Sequence, residues 1–106
     1  MDKQRLTELA EIARRVRVGI VDAVYSASSG HPGGSLSIAD ILTYLYFEEL
    51  RVDPANPDAP DRDRFVLSKG HCAPALYSVL AQRGFIPVED LKTFRRIDSY
   101  LQGHPN

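Results

Sequence analysis

Cysteine is nearly missing from this chain: Cys72 stands alone. That excludes an internal disulfide and any multi-cysteine zinc site, and it agrees with a reducing compartment. An excess of one charge is missing too, with 13 Lys and Arg against 14 Asp and Glu and a net charge of -1. Without a basic stripe, nucleic acid is not an expected partner. No apolar run reaches the roughly 18 residues of a membrane span. The opening Met1-Asp2-Lys3-Gln4-Arg5 lacks the apolar core and small-residue cleavage site of a signal peptide. The expectation is a cytoplasmic protein that uses neither membrane nor nucleic acid. Internal repeats and low-complexity tracts are also lacking. What is present, 43% hydrophobic and 25% charged residues over 106 positions, is the make-up of one globular domain or part of one.

The chain is organised around Ser29-Gly30-His31-Pro32-Gly33-Gly34-Ser35, a stretch whose glycine content predicts a loop and close approach of another group to the main chain. Ser35 or Ser37 is then expected to open a helix whose first N–H groups point back into that loop, the arrangement that holds phosphates and other anions. A plain helix-to-helix turn with a solvent-facing imidazole is the competing reading of the same residues.

Before the loop, Leu6, Leu9, Ala13, Val16, Ile20, Val24 and Ala27 recur in steps of three and four. This predicts one helix from Lys3 to about Ala27, with a break possible at Gly19. A second helix is expected from about Leu36 to Leu50. Its apolar residues cover most of its circumference, so it needs burial on more than one side. Ser37 and Asp40 approximate a capping box there. Asp53 to Pro60 holds three prolines and reads as an ordered or extended surface connection. In the following Asp61-Arg62-Asp63-Arg64 the charges are expected to satisfy one another and nearby loops. Phe65-Val66-Leu67-Ser68 then has the length and character of a buried parallel strand. A third helix is expected from about Cys72 to Arg83, with Ala75, Leu76, Val79 and Leu80 facing the core and Gly84 ending it. A short fourth helix spans Pro87 to about Phe94, and Arg95 to Asn106 is a polar remainder. Strand, glycine turn and helix in that order describe the start of a parallel α/β unit, where ligands bind beyond the carboxyl ends of strands.

All three histidines follow glycine, in Gly30-His31, Gly70-His71 and Gly103-His104. Imidazole suits proton transfer near neutrality. A trihistidine metal site is one reading, but no helical His-x-x-x-His or paired-carboxylate motif supports it. Cys72 at a helix start next to His71 invites a lowered thiol pKa. Adjacent residues seldom present side chains to each other, however, so a small packed residue is the favoured reading. Lys69 is either a positive charge for an anion at that helix start or a solvated loop lysine. Tyr44, Tyr46 and Phe47 fall at core spacing rather than forming a base-stacking platform.

Taken together, Ser29-Gly30-His31-Pro32-Gly33, the Asp61 to Ser68 run leading into Gly70-His71, and Gly103-His104-Pro105 resemble the amino-terminal part of transketolase, a thiamine-diphosphate enzyme. The likeness covers nearly the whole chain. The start at Met1, Gly34-Ser35-Leu36-Ser37 and Lys69 look most like the form split into separate amino- and carboxyl-terminal subunits. The resemblance implies that residues 1–106 are the opening of the diphosphate-binding domain. In this fragment that α/β domain would be helix-rich with one clear parallel strand, and it stops before the Gly-Asp-Gly metal motif. It further implies that Gly70 and His71 contact the cofactor's diphosphate, while His31 and His104 are catalytic and bind the sugar substrate. The Mg2+ or Ca2+ ligands would lie outside the chain. A two-carbon ketol unit would pass between sugar phosphates in a dimer-based assembly with the carboxyl-terminal regions or a separate subunit. Alone, the fragment is expected to be inactive. A deoxyxylulose-phosphate synthase-like enzyme and a non-catalytic interaction module are the alternatives. The proline after His31 and the Gly103-His104-Pro105 phrase favour transketolase over the former.

Overall fold

In the computed structural model, which describes residues 2–27, 32–65, 67, 72–94 and 99–102, the long amphipathic pattern forms one uninterrupted helix, α1 (Lys3–Ala27). Its buried face is Leu9, Ala13, Val16, Gly19, Ile20 and Ala23. Leu6, at the start of the predicted stripe, is half exposed. Gly19 does not break the helix. It is there because another element comes too close for a side chain: a Cβ on Gly19 would lie 2.2 Å from Ser78 Oγ.

Helix α2 (Pro32–Tyr44) begins four residues earlier than the apolar pattern predicts. Gly33, Gly34, Ser35 and Ser37 are therefore helical where the sequence predicts loop and a Ser37–Asp40 capping box, and proline opens the helix; Ser29, Gly30 and His31 of the expected loop lie outside the described residues. A proline suits the first helical position, where its missing N–H would have no partner in any case. The Ser37 hydroxyl donates to the Gly34 carbonyl at 2.7 Å, as a residue inside a helix does rather than one that caps it.

From Leu45 to Glu49 the helix widens into a π turn, closed by Leu50 N–H donating to Leu45 O at 2.7 Å. Two arginines collect carbonyls from this wider turn and its exit. Arg83 donates to Tyr46 O and Val52 O at 2.9 and 3.0 Å, and Arg5 donates to Phe47 O at 2.7 Å. The following proline-rich connection runs through successive tight turns. Its mouth is fastened by Arg51 and Asp63, whose main chains bond at 2.9 Å while the Asp63 carboxylate accepts Arg51 N–H at 2.6 Å. Those bonds hold the Asp63 carboxyl below the usual carboxylate range. The partner of Asp63 is thus Arg51 across the connection rather than a neighbouring arginine, and Arg62 instead donates to Ala59 O.

Helix α3 (Ala73–Arg83) is the centre of the structure. Ala75 and Val79 pack with Val16, Ile20, Ala39, Leu42 and Tyr46. Ala73, Tyr77 and Ala81 pack on the opposite side with Ala23, Leu91, Phe94 and Leu101. The two sets alternate every two residues, which in a 3.6-residue helix places them about 200° apart. The predicted face was half of this: Leu76 and Leu80 are only partly buried, while Ala73 and Tyr77 carry the second face. Each fully buried aliphatic side chain such as Val16, Ile20 or Leu42 contributes about 1.5–3 kcal/mol. Gly84 ends α3 in the left-handed region at φ 101°, as predicted, its N–H donating to Leu80 and Ala81 carbonyls. The fourth helix is a 3-10 turn, Val88–Thr93, begun by Pro87.

Among the described residues there is no strand, and the structure is helix-rich. Val66 and Ser68 of the predicted strand lie outside the described residues. No described helix is long and apolar enough to cross a membrane.

Candidate functional site

The four residues to which the sequence assigns chemistry, His31, Gly70, His71 and His104, lie outside the described residues, as does Lys69. What the structure places is the polypeptide that bounds them. Ser35 follows His31 by four positions, Ala75 follows His71 by four, and Gln102 precedes His104 by two. Ala75 lies in the first turn of α3, and Ser35 and Gln102 each bond to a residue near that helix start. Ser35 Oγ accepts the N–H of Ala75 at 3.2 Å, and Tyr77 Oη donates to the Gln102 carbonyl at 2.9 Å. Chain segments 40 and 25 residues apart are thereby tied to the same helix start.

Ser35 is fully buried, so its hydroxyl works in a setting where an unpaired donor or acceptor is costly. It docks the beginning of α2 against the beginning of α3. Neither helix has an acidic residue in its first turn. No side chain in either first turn offsets the partial positive charge of the helix start, and such an end favours an anion. The donors are fewer than a free helix start would offer. Pro74 has no N–H, and that of Ala75 is committed to Ser35, which leaves Ala73 among the first three residues of α3.

The residues at this junction are small: Ser35, Cys72, Ala73, Pro74 and Ala75 are all buried. Cys72 is free and fully buried, in keeping with packing rather than nucleophilic attack. Tyr46 is buried edge-on to Phe65, with ring centroids 5.9 Å apart, and Phe47 lies under the Arg83 guanidinium at 5.8 Å. Tyr46 and Phe47 pack on the same core cluster while Tyr44 is exposed, in keeping with packing rather than a stacking platform. Among the described residues no group of His, Cys, Asp or Glu could hold a metal ion. A cleft of about 410 Å³ between α1 and the 3-10 turn is lined by Arg15, Asp22, Val88 and Lys92 among others. No residue next to a Gly-His phrase lines it.

Sequence reading missed Tyr77 and the docking of residues 99–102. The signal was a tyrosine in an otherwise apolar helix. A buried phenol needs an acceptor, and burial pushes the Tyr77 pKa up, which keeps the group a donor.

The family model for the transketolase thiamine diphosphate binding domain matches residues 9–106. Transketolase of Mus musculus is 45% identical over 104 residues, which cover 98% of this chain and 17% of the relative. A 6-deoxy-6-sulfo-D-fructose transketolase subunit, SqwG of Clostridium sp. strain MSTE9, is 43% identical over 98% of this chain and 38% of its own length. Among solved structures, transketolase from Leishmania mexicana superposes with a TM-score of 0.87 at 35% identity, over 92% of this chain and 15% of that one. Transketolase from Campylobacter jejuni superposes with a TM-score of 0.82 at 41% identity, over 99% of this chain and 16% of that one. The chain therefore spans 17% of the length of a curated relative such as the mouse enzyme. Its likeness to a named subunit is compatible with the split form.

Proposed function

The chain belongs to the transketolase thiamine diphosphate-binding domain family, and from that membership we propose that it is the opening part of a ketol-transferring enzyme. Its role would be to bring the three Gly-His phrases to one place. The observation that carries this reading is that Ser35 bonds to Ala75 and Gln102 to Tyr77, so that both chain segments are tied near the start of α3. Thiamine diphosphate, when bound, supplies the chemistry that moves a two-carbon ketol unit between sugar phosphates.

The chain's own residues contribute binding and orientation. Gly70 and His71 precede α3 directly and are assigned the diphosphate, where the imidazole adds to the helix start of α3. The small buried residues at that junction fit a group that must approach the main chain closely. His31 and His104 are assigned the sugar, bonding its hydroxyls and passing protons near neutral pH. The divalent cation, Mg2+ or Ca2+, is assigned ligands outside residues 1–106. Phe65 to Ser68 is assigned a parallel strand that pairs with neighbours from the remainder of the domain. The α/β character, the domain extent of residues 1–106, the dimer-based assembly and the cytoplasmic setting belong to the same reading.

Exposed apolar residues support a larger assembly. Ile41 is 64% exposed and Tyr44 42%, so α2 keeps uncovered apolar surface of the kind its nearly all-round apolar sequence predicts.

A chimaera in which this chain replaces the matching part of mouse transketolase tests the proposal. It is expected to bind thiamine diphosphate and transfer ketol units, and to lose cofactor affinity on His71→Ala. A folded chimaera that bound no cofactor would overturn the reading.

A further inference from the structure

Residues 99–102 have no regular structure, yet they are held at four points. Ser99 Oγ and Thr93 Oγ1 share a hydrogen bond at 2.6 Å. Tyr100 donates to the Asp90 carboxylate. Leu101 is buried, in a cluster with Tyr77, Leu91 and Phe94, and the Gln102 carbonyl accepts the Tyr77 hydroxyl at 2.9 Å. The first two bonds tie the segment to the 3-10 turn. The Tyr77 hydroxyl bond reaches from α3 to the residue two positions before His104 in the sequence.

The Tyr77 hydroxyl is not needed to fill space. Its ring meets Phe94 edge-on with centroids 6.0 Å apart at 64°, a contact phenylalanine would keep. What the oxygen adds is a directional bond to one main-chain carbonyl, and burial keeps that oxygen protonated by raising its pKa. The helix that carries it is fixed on both faces, so the bond ties Gln102 to the most firmly packed part of the molecule.

We propose that Tyr77 is a positioning residue whose hydroxyl fixes the main chain at Gln102, the residue from which the sequence continues to Gly103-His104. The role of His104 rests on the transketolase reading above; the role of Tyr77 toward Gln102 rests on geometry alone.

Hydrogen exchange on the full 106-residue chain, unchanged and as Tyr77→Phe, tests the geometry. Leu101 is the reporter, because its N–H donates to Ser99 Oγ at 3.0 Å inside the held segment. Losing one hydrogen bond from that segment is expected to speed exchange at Leu101 about three- to tenfold. Amides in the middle of α1 are expected to stay within about twofold, since global opening is little changed. Unchanged exchange at Leu101, or an equal rise at Leu101 and in α1, would overturn the positioning role. In the holoenzyme formed with the remaining transketolase polypeptide, Tyr77→Phe is expected to raise KM for the sugar phosphate about fivefold. Cofactor Kd should stay within about twofold. An active holoenzyme whose KM ignored the substitution would also overturn the role. An unchanged holoenzyme without ketol transfer would instead remove the activity reading, and the exchange comparison alone would then decide Tyr77.

Discussion

The hydroxyl of Ser35 accepts the main-chain N–H of Ala75 at 3.2 Å with both residues buried, so two helix starts 40 residues apart in the chain share one hydrogen bond. Ser35→Ala would leave the Ala75 N–H buried and unpaired, at a cost of about 1–3 kcal/mol. Thermal unfolding should show the loss. Ser35→Thr keeps the oxygen and isolates the effect of the bond from that of added bulk. A Ser35→Ala protein as stable as the parent would mean that the junction is held by packing alone.

Gly19→Ala sets the α1–α3 contact against a single methyl group. The new Cβ would lie 2.2 Å from Ser78 Oγ and 3.1 Å from Leu91 Cδ1. Ser78 cannot simply turn away, because its hydroxyl donates to the Val16 carbonyl at 2.7 Å and the residue is fully buried. Overpacking of this kind costs about 1–3 kcal/mol. Pairing it with Ser78→Gly should recover part of the loss, and denaturant titration of the single and double variants measures the coupling. Strictly additive effects would show that the helices separate without strain.

The histidines are predicted to divide their labour in a completed enzyme. His71→Ala should weaken thiamine diphosphate by roughly 1.5–3 kcal/mol, the range for hydrogen bonds to charged groups. His31→Ala and His104→Ala should each lower kcat/KM with cofactor affinity nearly intact. Cofactor titration beside steady-state kinetics separates the two patterns. Loss of both properties together in the His31 or His104 variant would contradict the division.

The 106 residues on their own are predicted to show no magnesium-dependent binding of thiamine diphosphate and to associate through exposed side chains such as Tyr25, Ile41 and Leu6. Calorimetric titration with size-exclusion chromatography checks both parts. A compact monomer that bound the cofactor tightly with magnesium would require metal ligands within this chain, where the described residues offer no cluster.

The sequence made α1 legible from Lys3 to Ala27 because a sustained 3.6-residue period has no competing interpretation over that length. Gly84 was equally clear, since ending a helix in the left-handed region is what glycine does best. The start of α2 was not. Glycine content predicts a loop, whereas Pro32 at the first helical position and burial of Ser35 against α3 make residues 32–35 helical. The second face of α3 was hidden because alanines and a tyrosine give a weak apolar signal, and only the presence of Leu91, Phe94 and Leu101 opposite them makes that face core. The Gly-His phrases are legible as motifs, but the bonds that tie residues near them to α3 come from Ser35 and Tyr77, whose partners are main-chain atoms that no sequence pattern marks.

The Arg51–Asp63 fastening has a bearing on how such a protein changes length. Because the two ends of the proline-rich connection are bonded to each other, residues such as Pro57 and Asp58 stand exposed outside a closed neck. Loop closure grows so slowly with contour that doubling the connection costs only about 0.6 kcal/mol. A reporter peptide spliced between Pro57 and Asp58 would therefore leave α3 and its docked neighbours undisturbed, the added contour being carried outside the neck at little energetic expense.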